Sequence, residues 1–284
     1  MNRRDILSGP ALGAAGGALL AGGLIGTAHA QGDVRAQLAG ASLVEEIKRR
    51  GSLRVGLSTF VPWAMRNRAG ELVGYEVDVA TRLAGDMNVR LELVPTAWDG
   101  IIPALLAGRF DAIIGGMSVT VPRNLTVNFS DPYNITGIGI FANKRLADGW
   151  TTLDRFNRPD VTIVARRGTP AAASVAVHMP RATLRQFDEE SPALQEVVNG
   201  RAHAMVGSVP LPAHSVKRYP DVLVRPFDEP YQRAFSAFAV RKSDLDALNL
   251  FNNWIKLRTI TDTFLEDRRA YWFDGLDWEE QIQR

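Results

Sequence analysis

The alternating stretch Leu53-Arg54-Val55-Gly56-Leu57 opens the pattern that decides the fold class. Two further strand-like stretches, residues 89–93 and 110–114, follow it along the chain. Apolar residues recur at helical spacing in the two segments between them, 75–84 and 100–107. Strands that alternate with helices of about ten residues are typical of β-α-β units and a parallel sheet. The sequence therefore predicts an α/β fold.

The same alternation recurs in the second half of the chain. After a predicted loop at residues 144–160, the pattern predicts strands at 161–165, 183–187, 204–206 and 222–224, separated by helices at 171–177, 191–199 and 210–218. An extended apolar segment, residues 234–240, then leads into a helical tail rich in aromatic residues. We expect this tail to return to the first unit, so that two crossings join two lobes.

The first thirty residues have the features of an export signal. Arg3 and Arg4 precede a Gly- and Ala-rich apolar stretch, and Ala28-His29-Ala30 has the small residues of a signal-peptidase site. The arginine pair resembles a twin-arginine signal. We predict a signal peptide at residues 1–30, cleaved after Ala30. The alternative is an N-terminal membrane anchor, although the many glycines and alanines lower the hydrophobicity of this stretch.

Composition narrows the class of protein further. Of the 284 residues, 46% are apolar and 23% charged, which is typical of a globular protein with a substantial core. The chain has no cysteine, which excludes disulfides and a lipid anchor at the cleavage site. The 33 Lys and Arg against 31 Asp and Glu are scattered, so no nucleic-acid footprint is indicated. We expect an unanchored periplasmic protein, monomeric, with no nucleic-acid partner.

The loops that follow the predicted strands carry residues suited to ligand binding. Ligands of open parallel sheets bind beyond the carboxyl ends of the strands. Five such loops stand out: residues 58–63, 96–99, 115–118, 166–169 and 207–208. We expect them to line a cleft between the lobes.

The side chains near these loops favour binding over catalysis. Arg123 is suited to hold a carboxylate through two parallel hydrogen bonds, although it is equally compatible with a solvated surface position. Ser118 offers a hydroxyl, and Phe60 and Trp98 offer flat apolar surfaces. Core packing is the alternative for Trp98.

Catalytic patterns are weak. The four histidines are isolated, no G-x-S-x-G motif occurs, and no metal or cofactor is predicted. Glu76 and Asp99 are the carboxylates near the predicted cleft, and we expect them to be a surface group and a helix cap, respectively.

A series of motifs makes the chain similar to a known family. Residues 51–56, 70–80, 98–105, 116–123 and 129–133 resemble, in order, the polar-amino-acid solute-binding proteins of ABC importers. The resemblance covers roughly residues 45 to 275. It implies a two-lobed periplasmic-binding-protein fold, type II-like, with hinge strands near residues 138–143 and 234–239. It also implies lobe 1 at 31–141 plus 236–284 and lobe 2 at 142–235.

The resemblance also implies roles for single residues. Arg123 would pair with the ligand carboxylate beside the Ser118 hydroxyl and the turn at Gly116. Thr169 would close over the carboxylate from the second lobe, and Arg166 lies where some members have a basic contact. The ligand-binding residues that we predict are Phe60, Trp63, Trp98, Gly116, Ser118, Arg123, Arg166, Thr169 and Ser208.

Two departures from the family pattern concern the ligand. Many members bind the ligand ammonium with an aspartate where this chain has Ser208, and another common aspartate is replaced around Ser58. Either neutral groups bind the ammonium or the ligand lacks it. We therefore expect an anionic amino acid or a related organic acid.

The resemblance implies the substrate-binding component of an ABC importer, with a membrane permease as partner. The alternative is an enzyme on the same fold, similar to cyclohexadienyl dehydratases, which act on prephenate or arogenate. A sensor module would be expected to carry a fused signalling segment.

Overall fold

The computed structural model describes residues 42–275 and residue 278, so the predicted signal peptide lies outside the described residues. Within that part of the chain, no helix is both long enough and apolar enough to cross a membrane. The strands are β1 Ser52–Leu57, β2 Met65–Arg66, β3 Leu72–Val73, β4 Arg90–Pro95, β5 Ala112–Ile113, β6 Asn128–Asn143, β7 Thr162–Arg166, β8 Thr183–Phe187, β9 Ala204–Ser208, β10 Leu223–Val224 and β11 Gln232–Val240.

The helices alternate with these strands as the sequence predicts. They are α1 Leu43–Arg50, α2 Tyr75–Asp86, α3 Ile101–Leu106, α4 Val121–Asn124, α5 Lys144–Ala147, α6 Leu153–Phe156, α7 Pro170–His178, α8 Glu190–Val198, α9 Leu211–Arg218, α10 Leu245–Ile260 and α11 Phe264–Arg269. A short 3₁₀ turn covers Trp98–Gly100, and a π-helical turn, Ala270–Asp274, follows α11.

The larger sheet contains two parallel groups of strands. Its order is β4-β1-β5-β11-β6-β9-β7-β8, with β10 also paired to β6. In the first group β1 is parallel to β4 and β5, and in the second β7 is parallel to β8 and β9. Strands β6 and β11 run antiparallel to their neighbours and join the groups. Both parallel groups confirm the predicted β-α-β units.

Two parts of the predicted pattern were wrong. A strand was expected only from about residue 138, yet β6 is 16 residues long and begins at Asn128. Residues 144–160 were predicted as a loop but contain α5 and α6. Pairing with distant strands decides β6, and each of the two helices has only four residues, too few to show an apolar period.

Strand β6 changes partner along its length. It pairs with β11 from Asn128 to Ile138 and with β9 from Ile138 to Ala142. The partner change therefore lies at Ile138, a few residues before the predicted lobe boundary between residues 141 and 142. The division into lobes 31–141 plus 236–284 and 142–235 stays a prediction.

The aromatic tail packs on the first parallel group, as expected. Trp254 and Trp272 belong to one buried cluster with Leu53 of β1 and Val79 of α2. A separate cluster around Ile163, with residues from β6, β9 and α7, covers the second group. Each parallel group thus has its own apolar core, which leaves the strand ends between them for polar residues.

Candidate ligand-binding site

Loops from both parallel groups enclose a small cavity of about 20 Å³ that is partly open to solvent. The loops belong to the carboxyl ends of strands in both groups, where ligands of such sheets bind. Seven of the nine predicted ligand-binding residues line it, and Arg123 and Trp63 do not. The lining residues are Phe60, Trp98, Gly116, Ser118, Arg166, Thr169, Pro170, Glu190 and Ser208.

Trp98 forms the aromatic wall of the cavity. Its indole Nε1 donates a hydrogen bond to the carbonyl oxygen of Gly168, 3.3 Å away, which ties the first group to the second. The Cζ atoms of Arg123 and Arg166 lie 5.4 and 5.6 Å from its ring centroid. The ring of Phe60 meets it edge-on at 6.3 Å. Trp98 is therefore buried among cations and a second ring, at contact distances that favour cation–π attraction.

Arg123 lies beside the cavity, next to the Trp98 ring in its wall. Its Nη1 donates to the carbonyl oxygen of Ser118 at 2.8 Å and its Nη2 to that of Gly168 at 3.0 Å. It lines an adjoining cavity that shares Thr169 and Pro170 with the first. No carboxylate of the described residues lies within ion-pair distance of this guanidinium, and burial lowers the pKa of Arg123 to about 10. A desolvated cation without a counter-ion favours the binding of an anion.

Arg166 brings a second positive charge to the cavity from the end of β7. The residue is only 3% exposed. Its Nη2 donates to the Ser58 hydroxyl at 2.7 Å and its Nε to the Asp188 carbonyl oxygen at 3.1 Å. The nearest carboxylate oxygen, on Glu189, is 3.6 Å away. Ser58, near which the resemblance implies a family aspartate, thus contacts Arg166 directly.

Thr169 begins helix α7 at the edge of the cavity. Its hydroxyl accepts from the Ala172 amide at 3.2 Å and donates to the Arg166 carbonyl oxygen at 2.7 Å. The hydroxyl therefore serves as the N-cap of α7. Pro170, whose missing N–H costs the helix nothing at this place, occupies the first helical position.

Gly116 makes the turn that lets the first group approach the aromatic residues. Its φ is +62°, and a Cβ atom there would lie 2.9 Å from Cζ of Phe60 and from Cε3 of Trp63. Its amide donates to the Tyr133 hydroxyl at 3.1 Å, and that hydroxyl donates to the Glu76 carboxylate at 2.6 Å. A buried chain of hydrogen bonds therefore supports the turn from behind.

The predictions for two carboxylates were wrong. Glu76 is completely buried rather than on the surface, because the first turn of α2 faces Tyr133 and the Gly116 turn. Burial raises the pKa of Glu76 to about 8, although the hydrogen bond from Tyr133 acts in the opposite direction. Asp99 is exposed inside the 3₁₀ turn, and the start of α3 has no side-chain cap.

Trp63 lies behind the cavity rather than in its wall. It is 1% exposed and packs against Tyr75 and Phe273, with ring centroids 6.0 and 4.7 Å away. Phe60, which lines the cavity, stacks on it with ring centroids 5.6 Å apart. A direct contact between Trp63 and a ligand stays a prediction.

Glu190 lines the cavity but is not among the ligand-binding residues predicted from the sequence. It is the first residue of α8, and its Oε2 is buried without a hydrogen-bond partner among the described residues. Burial raises the pKa of Glu190 to about 7, partly opposed by the charge of Arg166. The sequence contains a signal for it, because Glu190 follows the predicted strand 183–187, and the carboxyl ends of parallel strands lie at the edge of the sheet where ligands bind.

Two of the proteins to which the chain is similar are solute-binding proteins. L-cystine-binding protein TcyJ of Escherichia coli (strain K12) is 29% identical over 214 residues, which is 75% of this chain and 79% of TcyJ. A putative binding component of an ABC transporter from Wolinella succinogenes, solved with lysine, is 33% identical with a TM-score of 0.77. That likeness covers 82% of this chain and 100% of the other.

A third similar structure connects binding with catalysis. The ancestral amino acid-binding protein AncCDT-1, described as a precursor of cyclohexadienyl dehydratase, is 37% identical with a TM-score of 0.74. It covers 82% of this chain and 99% of its own length. These likenesses confirm the predicted two-lobed periplasmic-binding-protein fold.

The profile of one family covers most of the described chain. It matches residues 53–274, a span that contains both parallel groups of strands and every residue of the cavity. The chain belongs to the bacterial extracellular solute-binding proteins, family 3.

Proposed function

We propose that the chain is the periplasmic substrate-binding component of an ABC importer and captures an amino acid in the cavity between its two lobes. The observation that carries this proposal is Arg123, a half-buried guanidinium with no carboxylate partner among the described residues. A ligand carboxylate would supply the missing negative charge through charge-assisted hydrogen bonds. Release of the bonds to Ser118 and Gly168 would free two donors for it.

The contacts between the two parallel groups support a closing motion. Trp98 binds the carbonyl oxygen of Gly168, and Arg166 binds Ser58. Both bonds join the first group to the second without using Arg123. A ligand held by both sets of loops would stabilise the closed form by its higher affinity for that form. The closed form would then dock on the permease.

Calorimetry tests the proposal. The mature protein would be unfolded and refolded to remove bound ligand, then titrated with amino acids and organic acids. We expect saturable one-to-one binding without turnover. Arg123→Ala should abolish it, whereas Arg90→Ala, which removes an arginine whose side chain is 75% exposed, should leave it unchanged. Equal effects of the two substitutions would contradict the assignment of Arg123.

The signal-peptide prediction has its own test. Export from a two-membrane bacterium should yield a mature chain that starts at Gln31, as read by N-terminal sequencing. A monomer is expected from light scattering of the same preparation. A chain retained in the membrane fraction with Met1 intact would favour the anchor instead.

A dehydratase is the second candidate, because Glu190 provides a group that such chemistry needs. Loss of water and carbon dioxide from a ring acid requires a general acid near the leaving hydroxyl, and a carboxyl group with a pKa near the working pH is suitable. The pKa of Glu190 is raised to about 7 at the cavity wall. Consumption of prephenate or arogenate by the purified protein would replace the transport proposal with this one.

A further inference from the structure

The cavity wall contains a negative group with one oxygen that has no hydrogen-bond partner among the residues that the structure describes. Where the family pattern has aspartates, this chain has Ser58 and Ser208, and the cations Arg123 and Arg166 remain. On that balance the ligand was expected to be an anion. Glu190 changes the balance, because it adds a carboxylate to the same wall from the start of α8.

The neighbouring arginine does not pair with Glu190 through a hydrogen bond. The guanidinium of Arg166 is directed to the Ser58 hydroxyl and to the Asp188 carbonyl oxygen. The carboxylate nearest to it is that of Glu189, at 3.6 Å. The buried Oε2 of Glu190 therefore has no donor among the described residues. A buried acceptor without a donor destabilises the ligand-free protein, and a ligand that brings the donor recovers that free energy.

Glu190 lies where the cavity of the candidate site meets a larger cleft, and this position indicates which part of a ligand would contact it. Phe60 and Glu190 line both the cavity of the candidate site and a larger cleft next to it, with a volume of about 440 Å³. Glu189 lines only the larger cleft, and its side chain is 52% exposed. A ligand with its carboxylate near Arg123 would therefore pass Glu190 on the way into the larger cleft.

We propose that Glu190 binds a cationic nitrogen of the ligand and thereby replaces the carboxylates that the family pattern places at Ser58 and Ser208. The ligand would be zwitterionic or cationic rather than a simple organic acid. This inference rests on the proposed function. The cationic nitrogen is either the α-ammonium, which every amino acid has, or a side-chain ammonium that reaches the larger cleft.

Three ligands distinguish these two sources. L-lysine carries both ammonium groups, L-norleucine keeps only the α-ammonium, and 6-aminohexanoate keeps only the terminal one. Calorimetry of the stripped wild-type protein would be compared with Glu190→Gln and with the matched control Glu189→Gln. Loss of one charge-assisted hydrogen bond weakens binding by about tenfold or more.

We expect Glu190→Gln to weaken the binding of L-lysine by at least that factor and Glu189→Gln to change its affinity less than threefold. If the partner is the α-ammonium, Glu190→Gln also weakens the binding of L-norleucine but not that of 6-aminohexanoate. The reverse result identifies the terminal ammonium. Equal affinities of wild type and Glu190→Gln for every ligand that binds would overturn the inference and leave the proposed function intact. Absence of binding to all amino acids and organic acids would overturn both.

A folding control keeps the result interpretable. Glu190→Gln removes the charge of a carboxylate whose buried Oε2 has no hydrogen-bond partner among the described residues, so the ligand-free variant should be at least as resistant to urea at pH 8 as the wild type. Weakened binding together with a less stable variant would indicate a structural role for Glu190 and count against the inference.

Discussion

The turn at Gly116 allows the sharpest test of how the site is built. Gly116→Ala places a methyl group at a φ of +62°, where an L-residue other than glycine costs about 1–2 kcal/mol. The new Cβ would also lie 2.9 Å from Phe60 and from Trp63, well inside the usual carbon contact of about 3.5–4.0 Å. Overpacking of this kind costs about 1–3 kcal/mol.

The two neighbours of that methyl group should respond differently. Trp63 is fixed by Tyr75 and Phe273, whereas Phe60 is only half-buried and stands at the cavity wall. We expect Phe60 to move, so that the free energy of unfolding falls by roughly 2–5 kcal/mol and ligand affinity falls with it.

Gly108→Ala is the matched control for this substitution. Gly108 has a φ of +72°, but a Cβ atom there would meet nothing within 4 Å. It should therefore lose only the backbone contribution, about 1–2 kcal/mol, and keep wild-type affinity. Urea unfolding followed by tryptophan fluorescence and calorimetric titration would measure both quantities. Equal losses in the two variants, or unchanged affinity in Gly116→Ala, would refute the reasoning.

Three further predictions concern charged groups. Arg123→Lys keeps the charge but loses the planar guanidinium, so calorimetry should show carboxylate binding at least tenfold weaker than in the wild type. Binding should still be tighter than in Arg123→Ala. Equal affinity of Arg123→Lys and the wild type would contradict bidentate binding. Because the folded pKa of Glu76 is about 8, above its unfolded value, this group stabilises the fold at low pH and loses that effect as pH rises through 8. Urea titrations from pH 5 to 9 should therefore show the free energy of unfolding of Glu76→Gln rising relative to that of the wild type as the pH increases. Parallel plots of this free energy against pH would contradict the prediction. The side chain of Asp111 is completely buried between Arg50 and Arg54. Asp111→Asn should lower the free energy of unfolding by roughly 2–4 kcal/mol, and a loss below 1 kcal/mol would show that this ion-pair cluster contributes little.

Much of the fold follows from local patterns in the sequence. The alternation at residues 53–57 and the apolar spacing at 75–84 correspond to β1 and α2, because side chains alternate along a strand and recur every 3.6 residues on a helix. The loops after these strands were assigned to the cavity for the same reason, since parallel strands bring their carboxyl ends to one edge. Seven predicted ligand-binding residues line the cavity on that basis.

Tertiary structure alone decided which charged groups lie inside. The sequence gives Glu76, Asp99 and Glu190 the same chemistry, yet the first is completely buried, the second is exposed and the third lines the cavity. Local spacing predicts which face of a helix is apolar but not which distant residue, such as Tyr133, will meet a single polar side chain. That depends on how β6 crosses between the two parallel groups, and β6 is held by pairing with strands 60 or more residues away in the sequence.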